Sequence, residues 1–192
     1  MRIERFLLNR RGEEGGGLSG RPEEEKGIVP PVAHGLRYMS VTYYTVDKPA
    51  PLRGADVSDA IVELMTITRW EGLDYLVLDT PPGISDATLD MIRLTKVVGF
   101  LLVTTPLRVA FGTVKKLLTL LQELGVPVVG VVENMLMKPS TSIRSRIEDL
   151  GAPYLGAIGF DPGLEDALGD IERLMKTNFP KNLAEIASSL ER

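Results

Sequence analysis

The sequence predicts an α/β fold, a doubly wound parallel sheet with helices on both faces. Strand-like and helix-like segments alternate from residue 36 to the end of the chain. The strand-like segments are nearly continuous apolar runs, which is typical of parallel strands buried on both faces. The 192 residues are 44% hydrophobic and 25% charged, which suits one globular domain of this class.

The first 31 residues lack this alternation. Residues 9–31 are dense in Gly, Pro and Glu and carry little apolar periodicity, which predicts a flexible arm or loop. Residues 2–8 are compatible with either a strand or a helical turn. We therefore divide the chain into a flexible N-terminal arm, residues 1–31, and an α/β domain, residues 32–192.

The strands are predicted from runs of β-forming and apolar residues. Residues 36–44 alternate in part, and residues 73–79 form an apolar run that ends in a carboxylate. The later runs are rich in Val, Ile and Leu. The predicted strands are residues 36–44, 73–79, 97–104, 126–132 and 153–160.

The helices are predicted from apolar residues at intervals of three and four. The longest stripe includes Val109, Leu117 and Leu121, and Gly125 follows it as a stop signal. A shorter helix has Ser140 or Thr141 as its candidate N-cap. The predicted helices are residues 56–69, 86–95, 109–124, 141–150, 163–175 and 182–191.

Composition excludes several functions. The net charge of -4 does not favour nucleic acid as a partner. Because the chain has no cysteine, it supplies no disulfide, no thiol nucleophile and no cysteine ligand for zinc or an iron–sulfur cluster. No apolar run reaches about 18 residues, so no membrane span or membrane partner is predicted, and the cytoplasm is the expected location.

Ligands of open α/β sheets bind at the carboxyl ends of the strands, and Asp79 is the most informative residue at such an end. A carboxylate there can hold Mg²⁺ near nucleotide phosphates. Pro81 and Pro82 stiffen the loop that follows, and Gly83 leaves it free to present a backbone N–H to a terminal phosphate. The alternative is a plain turn in which Asp79 caps a helix.

Several motifs occur in the order found in one family of ATPases. DYLVLDTPPGISD, residues 74–86, resembles the Walker B and switch II segment of the Mrp/ApbC branch of the MinD/ParA-type P-loop ATPases. PVVGVVENM, residues 127–135, resembles the adenine-side motif of that branch. Further segments that resemble the family are GLRYMSV (35–41), PLRG (51–54), VTTPLRVA (103–110) and LGAIGFDP (155–162).

The resemblance implies a P-loop NTPase fold with ATP and Mg²⁺ as ligands. On the phosphate side, Asp79 would be the carboxylate near Mg²⁺, and Gly83 would sense the γ-phosphate. Arg53 would lie near a dimer-facing loop, although a solvated turn is the alternative for this residue.

On the base side, the resemblance implies that Asn134 would hydrogen-bond the adenine. A simple strand cap is the alternative for Asn134. Asp161 and Pro162 would border the base.

The phosphate-binding loop of this family is missing from the sequence. Its pattern, G-x-x-x-x-G-K-[ST], uses successive backbone N–H groups and a lysine to hold the phosphates. None of the 19 glycines is followed by lysine, and two glutamates in the Gly-rich stretch 12–20 would repel phosphate. We therefore expect an N-terminally truncated domain that lacks the first strand and its loop.

A second departure follows Met135. Carriers of this family commonly have a Cys-x-x-Cys pair there that holds an iron–sulfur cluster between subunits, but residues 136–142 contain no thiol. Carriage of a cluster in the manner of the family is therefore not expected from this chain.

Three hypotheses remain open. The first is a degenerate nucleotide-binding protein, linked to iron–sulfur cluster carrier systems, that binds ATP weakly or only with a partner and does not hydrolyse it efficiently alone. It would be a homo-oligomer or would pair with a chain that bears a P-loop. The second is an active ATPase completed by a partner chain or by an upstream extension carrying the P-loop. The third is an unrelated flavodoxin-like binding protein.

Overall fold

The structure, a computed structural model, describes residues 23–24, 26–40, 43, 55–80, 83–95, 99–138 and 142–190. The contacts divide the chain into two compact units, residues 1–96 and residues 97–192. The predicted segment 2–8, most of the predicted arm and Arg53 lie outside the described residues. The boundary between residues 31 and 32 stays a prediction.

Two short hairpins open the first unit. Antiparallel pairing joins β1 (Glu23–Glu24) to β2 (Ile28–Val29) and β3 (Val32–Ala33) to β4 (Leu36–Arg37). The first pairing differs from the irregular loop predicted for residues 9–31. Ile28 is buried and forms a parallel bridge with Thr68, which anchors this hairpin within its unit.

The strand predicted at 36–44 is wrong for the described residues 38–40 and 43, while residues 41, 42 and 44 lie outside the described residues. His34 and Gly35 both have positive φ, 51° and 78°, and form the two-residue turn typical of tight hairpins. The partner strand is short because Pro30 and Pro31 precede it, and proline has no N–H for a ladder. Sequence alternation alone therefore overestimated the length of this strand.

Helices α1 (Ala55–Ile67) and α2 (Asp86–Leu94) confirm the helices predicted at 56–69 and 86–95. The two helices pack on each other, Val57 of one and Met91 of the other are buried, and the Ser58 hydroxyl donates a hydrogen bond to the Asp90 carboxylate. The remaining charged residues of both helices, such as Asp56 and Arg93, are exposed, whereas Thr88 is buried.

The strand predicted at 73–79 is also wrong, because this segment has no strand pairing with any described residue. Its apolar side chains remain open to solvent, with Tyr75 77% exposed and Val77 64% exposed. Strand propensity acts through packing against neighbours and through a hydrogen-bonded ladder, and this segment forms no ladder with any described residue and has only Leu73 and Leu78 half-buried.

A parallel sheet forms the centre of the second unit. It contains β5 (Phe100–Thr104), β6 (Val128–Leu136) and β7 (Tyr154–Gly159) in the order β5-β6-β7. These strands confirm the predictions at 97–104, 126–132 and 153–160, although β6 runs four residues further than expected.

Helices cover both faces of β6. Val131 and Val132 are both buried, and successive residues of a strand point to opposite faces. Val132 packs in a cluster with Ile158 and Ile186, and Ile186 belongs to the last helix. The predicted α/β class with a parallel sheet is therefore confirmed.

The helices of this unit are α3 to α7. The prediction at 163–175 was a single helix, but the chain forms two four-residue helices there because Leu168 is extended and Gly169 has a φ of 92°. The helices are α3 (Arg108–Glu123), α4 (Ser142–Asp149), α5 (Leu164–Ala167), α6 (Ile171–Leu174) and α7 (Phe179–Leu190).

Among the described residues, no helix combines the length and the apolar character that a bilayer crossing requires.

Candidate functional site

The carboxyl ends of the three parallel strands meet at one edge of the sheet. Thr104 of β5 lies beside Glu133 of β6, which lies beside Ala157 of β7. The next residues along β6 and β7 therefore emerge at the same edge. Asn134, Asp161 and Pro162 are the predicted site residues that lie there.

A bulge shapes the end of β6. Glu133 pairs with Ala157 and Leu136 pairs with Gly159, so β6 uses three steps where β7 uses two. The extra length is taken up at Asn134 and Met135, and Met135 has a φ of 60°, which is uncommon for a residue other than glycine. Bulges of this kind re-aim side chains and are frequent beside functional sites.

The Asn134 side chain is held by this bulge. Its Oδ1 accepts a hydrogen bond from the Met135 N–H at 2.8 Å, and the side chain is half-buried. This bond fixes the orientation of the amide. Its NH₂ group makes no hydrogen bond to any described residue, so it can donate to an acceptor on a ligand.

Asp161 fixes the loop that follows β7. Its Oδ1 accepts from the Gly163 N–H at 2.9 Å and its Oδ2 accepts from the Asn178 N–H at 3.1 Å. Oδ1 thus closes a turn within the loop, and Oδ2 joins the loop to Asn178 at the start of α7. Pro162 lies exposed between Asp161 and Gly163 and presents an apolar ring to solvent.

An open cavity of about 480 Å³ lies beside this loop, a volume within the range of small-molecule sites. Arg173 is paired with Asp170 at 3.2 Å, which offsets part of the positive charge at the cavity. The cavity is lined by Asp161, Gly163, Asp166, Ala167, Arg173, Lys176, Thr177 and Asn178.

Asp79 and Gly83 belong to the other compact unit. The side chain of Asp79 is largely exposed, and the partial burial that remains raises the pKa of its carboxyl. This shift corresponds to little energy, because solvent screens an exposed carboxylate. Gly83 has a φ of 84°, which a side chain would strain. The N-cap of α2 is Ser85, so the alternative in which Asp79 caps that helix is wrong.

Glu133 is the residue at this edge to which the sequence analysis gave no role. Its side chain is fully buried, its Oε2 lies 3.3 Å from the hydroxyl of Tyr154, and its Oε1 has no partner among the described residues. Burial raises the pKa of the Glu133 carboxyl, and the hydrogen bond from Tyr154 partly offsets this. The signal available in the sequence was a glutamate inside an apolar run.

Mg²⁺ usually binds through one or two carboxylates together with substrate phosphates. Asp79 could supply one such carboxylate, but the strand end at which it was predicted to lie is not observed, because residues 73–79 pair with no described strand. In the parts of the chain that the structure describes, no group of three or more His, Asp or Glu side chains forms a closed metal site. The Asn134 amide has a donor that no described residue uses, but Asn134 does not line the cavity, and the sequence has no Gly-Lys pair of the kind that holds nucleotide phosphates.

Comparison with protein families identifies one strong match. The family model described as ParA, NUBPL iron-transfer P-loop NTPase, matches residues 14–190.

Comparison with individual proteins gives a consistent result. An iron–sulfur cluster carrier protein from Pseudomonas fragi is 42% identical over 113 residues, 58% of this chain and 39% of that protein. An iron–sulfur cluster carrier protein from Rickettsia felis is 31% identical over 154 residues, 79% of this chain and 48% of that protein. The chain thus spans less than half the length of these relatives.

A solved structure shares the fold. A nucleotide-binding protein from Archaeoglobus fulgidus, in complex with ADP, matches with a TM-score of 0.63 and 23% identity over 81% of this chain and 66% of that chain.

Proposed function

Because the chain belongs to the ParA/NUBPL family of iron-transfer P-loop NTPases, we propose that it binds adenine nucleotides weakly or only together with a partner, within an iron–sulfur cluster carrier system. Family membership excludes the unrelated flavodoxin-like alternative. The geometry that supports the proposal is the Asn134 amide, presented by the bulge at the carboxyl edge of the sheet.

The base side of the proposed site consists of three residues. Asn134 donates its NH₂ group to a ring nitrogen of adenine, because its Oδ1 is already bound to Met135. Pro162 borders the base with its exposed ring. Asp161 acts indirectly, since both its oxygens are bound to backbone N–H groups and it therefore shapes the loop.

The phosphate side is the weak part of the proposed site. By the resemblance to the family, Asp79 would hold Mg²⁺ and the Gly83 N–H would meet the terminal phosphate, but no Gly-Lys pair in the sequence balances the triphosphate charge. We expect a dissociation constant for Mg-ATP on the order of 1 mM, which corresponds to about 4 kcal/mol of binding free energy. A partner chain that bears a P-loop would supply the missing phosphate contacts, which a second copy of this chain cannot do because it has the same sequence.

The second candidate function is ATP hydrolysis. It would follow if a partner chain or an upstream extension supplied the P-loop, with Asp79 on the metal side and the switch at Gly83. The family match and the retained DTPPG sequence after residue 78 favour keeping this candidate. Arg53 would lie near the dimer interface, and the oligomeric state and cytoplasmic location stay predictions.

Calorimetric titration of the purified chain with Mg-ADP and Mg-ATP tests the first proposal. Asn134→Ala should weaken ADP binding about 2- to 12-fold, the value of one neutral hydrogen bond, whereas the control Asn182→Ala in α7 should not. Equal affinities for the wild type and Asn134→Ala would contradict the assignment of Asn134.

ATPase turnover distinguishes the two candidates. The wild-type chain alone should show no turnover above background. Turnover comparable to that of an intact relative, lost in Asp79→Asn but kept in the neighbouring control Asp74→Asn, would overturn the proposal of weak binding in favour of the enzyme.

A further inference from the structure

The bulge at Asn134 follows directly after the buried Glu133, so a contact made by Glu133 can affect the orientation of the Asn134 side chain. We propose that Glu133 and Tyr154 are positioning residues: the hydrogen bond between them stabilises the register of β6 against β7 and thereby orients the Asn134 amide. The inference rests on the proposed function in one respect, that this amide reads the base of an adenine nucleotide.

The bond between the two side chains spans neighbouring strands. Oε2 of Glu133 lies 3.3 Å from the hydroxyl of Tyr154, and β6 and β7 are adjacent in the sheet. Glu133 is the last residue of β6 in register before the bulge. A cross-strand bond at this position therefore fixes the point from which the bulge departs.

The buried carboxyl is best satisfied in its neutral form. An ionised carboxylate without solvent or a cationic partner is strongly disfavoured, and Oε1 of Glu133 has neither among the described residues. A neutral carboxyl can still accept the hydrogen bond that the Tyr154 hydroxyl donates to Oε2. The Tyr154 ring is in turn covered by the guanidinium of Arg144 at 5.5 Å, and Arg144 is bound to Glu148 at 2.9 Å.

The bulge depends on this cross-strand hydrogen bond because its backbone is strained at Met135. The left-handed conformation of Met135 persists only where surrounding contacts determine it. If the Glu133–Tyr154 hydrogen bond is lost, β6 can shift by one residue against β7. Such a shift turns each side chain to the opposite face of a sheet. Asn134 would then no longer point to the edge.

The first test needs no nucleotide. Amide hydrogen exchange of Met135 reports its bond to Asn134 Oδ1, and the variants are Glu133→Ala, Tyr154→Phe and Glu133→Gln, with the exposed Tyr75→Phe as control. We expect the first two to raise the exchange of Met135 by about 2- to 12-fold relative to the β5 amides. Glu133→Gln, neutral and of the same shape, should stay close to the wild type.

The second test measures base selectivity with Mg-ADP and Mg-GDP. Tyr154→Phe should lower the preference for ADP by a similar factor, and Glu133→Gln should retain it. If the wild type binds neither nucleotide, the proposed function fails, while the exchange experiment still decides the positioning claim.

Two results would overturn the inference. One is that Tyr154→Phe leaves the exchange of Met135 unchanged. The other is that the exchange of Met135 rises only in step with all strand amides, which indicates a general loss of stability. If Glu133→Ala does not fold, Tyr154→Phe still gives the answer, because it removes a single hydroxyl.

Discussion

A Cβ atom added at Gly156 would lie 3.1 Å from Cγ1 of Ile186, so β7 and α7 approach each other at a position that only glycine fits well. Gly156 also has a φ of 147°, in a region that side chains rarely adopt. These two facts join the local backbone of the strand to the packing of the last helix.

Gly156→Ala should therefore destabilise the protein. The backbone strain and the close contact with Ile186 together should lower the free energy of unfolding by about 1–3 kcal/mol. Urea denaturation measures this change. The control is Gly112→Ala in α3, where an added Cβ meets nothing within 4 Å and should stabilise the helix by about 0.5–1 kcal/mol. Equal stabilities of the two variants would contradict the packing described for β7.

Ile186→Ala should be more costly. Ile186 is 4% exposed and packs in the cluster with Val132 and Ile158, so its truncation leaves a cavity. The expected loss in the free energy of unfolding is about 2–5 kcal/mol. Leu183→Ala on the same helix, at a residue 45% exposed, should cost less than about 1 kcal/mol. Thermal denaturation of both variants measures these losses. A larger loss for Leu183→Ala than for Ile186→Ala would contradict the described packing of α7.

Ser85→Ala should destabilise α2. The Ser85 hydroxyl accepts from the Thr88 N–H at 3.3 Å, and the loss of such an N-cap costs about 0.5–2 kcal/mol. The loss should appear as a lower denaturation midpoint. Ser145→Ala, at an exposed position within α4, is the control and should change stability by less than about 0.5 kcal/mol. A neutral Ser85→Ala would show that α2 begins elsewhere.

Glu133→Gln should change how stability depends on pH. Burial raises the pKa of Glu133 above its ordinary value of 4.5, so between that value and the raised pKa the folded chain binds more protons than the unfolded chain. The stabilisation is therefore complete below pH 4.5 and is lost as the pH rises through the raised pKa. Glutamine does not titrate, so the variant should gain stability relative to the wild type as the pH rises.

Denaturation midpoints from about pH 4 to about pH 8 measure this difference. The control is Glu185→Gln, at an exposed residue of α7. Parallel curves for the wild type and Glu133→Gln would mean that Glu133 titrates as an ordinary solvated glutamate.

The helices were the most predictable part of the fold. The stripe that includes Leu117 and Leu121 located α3 to within a residue at each end, because a helix is specified by local spacing and by local stop signals such as Gly125. The strands were less predictable. Residues 73–79 and β5 are both apolar runs, but among the described residues only β5 has a neighbouring strand, and pairing depends on residues far away in the chain.

The candidate site shows the same division. Asn134 was predicted from its motif, its role stays a prediction, and the structure places it in the bulge near the carboxyl end of β6. The bulge, the use of both Asp161 oxygens by backbone N–H groups and the buried bond between Glu133 and Tyr154 had no local signal.

The sequence by itself determined the α/β class, the family, the longer helices and the absence of a lysine-bearing phosphate loop, because each of these depends on composition, spacing or a contiguous motif. Only the tertiary structure decided which apolar runs became strands, where β6 gained its extra residue and which carboxylates point inward. The physical reason is that ladder pairing and burial are relations between segments distant in the chain. No local pattern of residues encodes them.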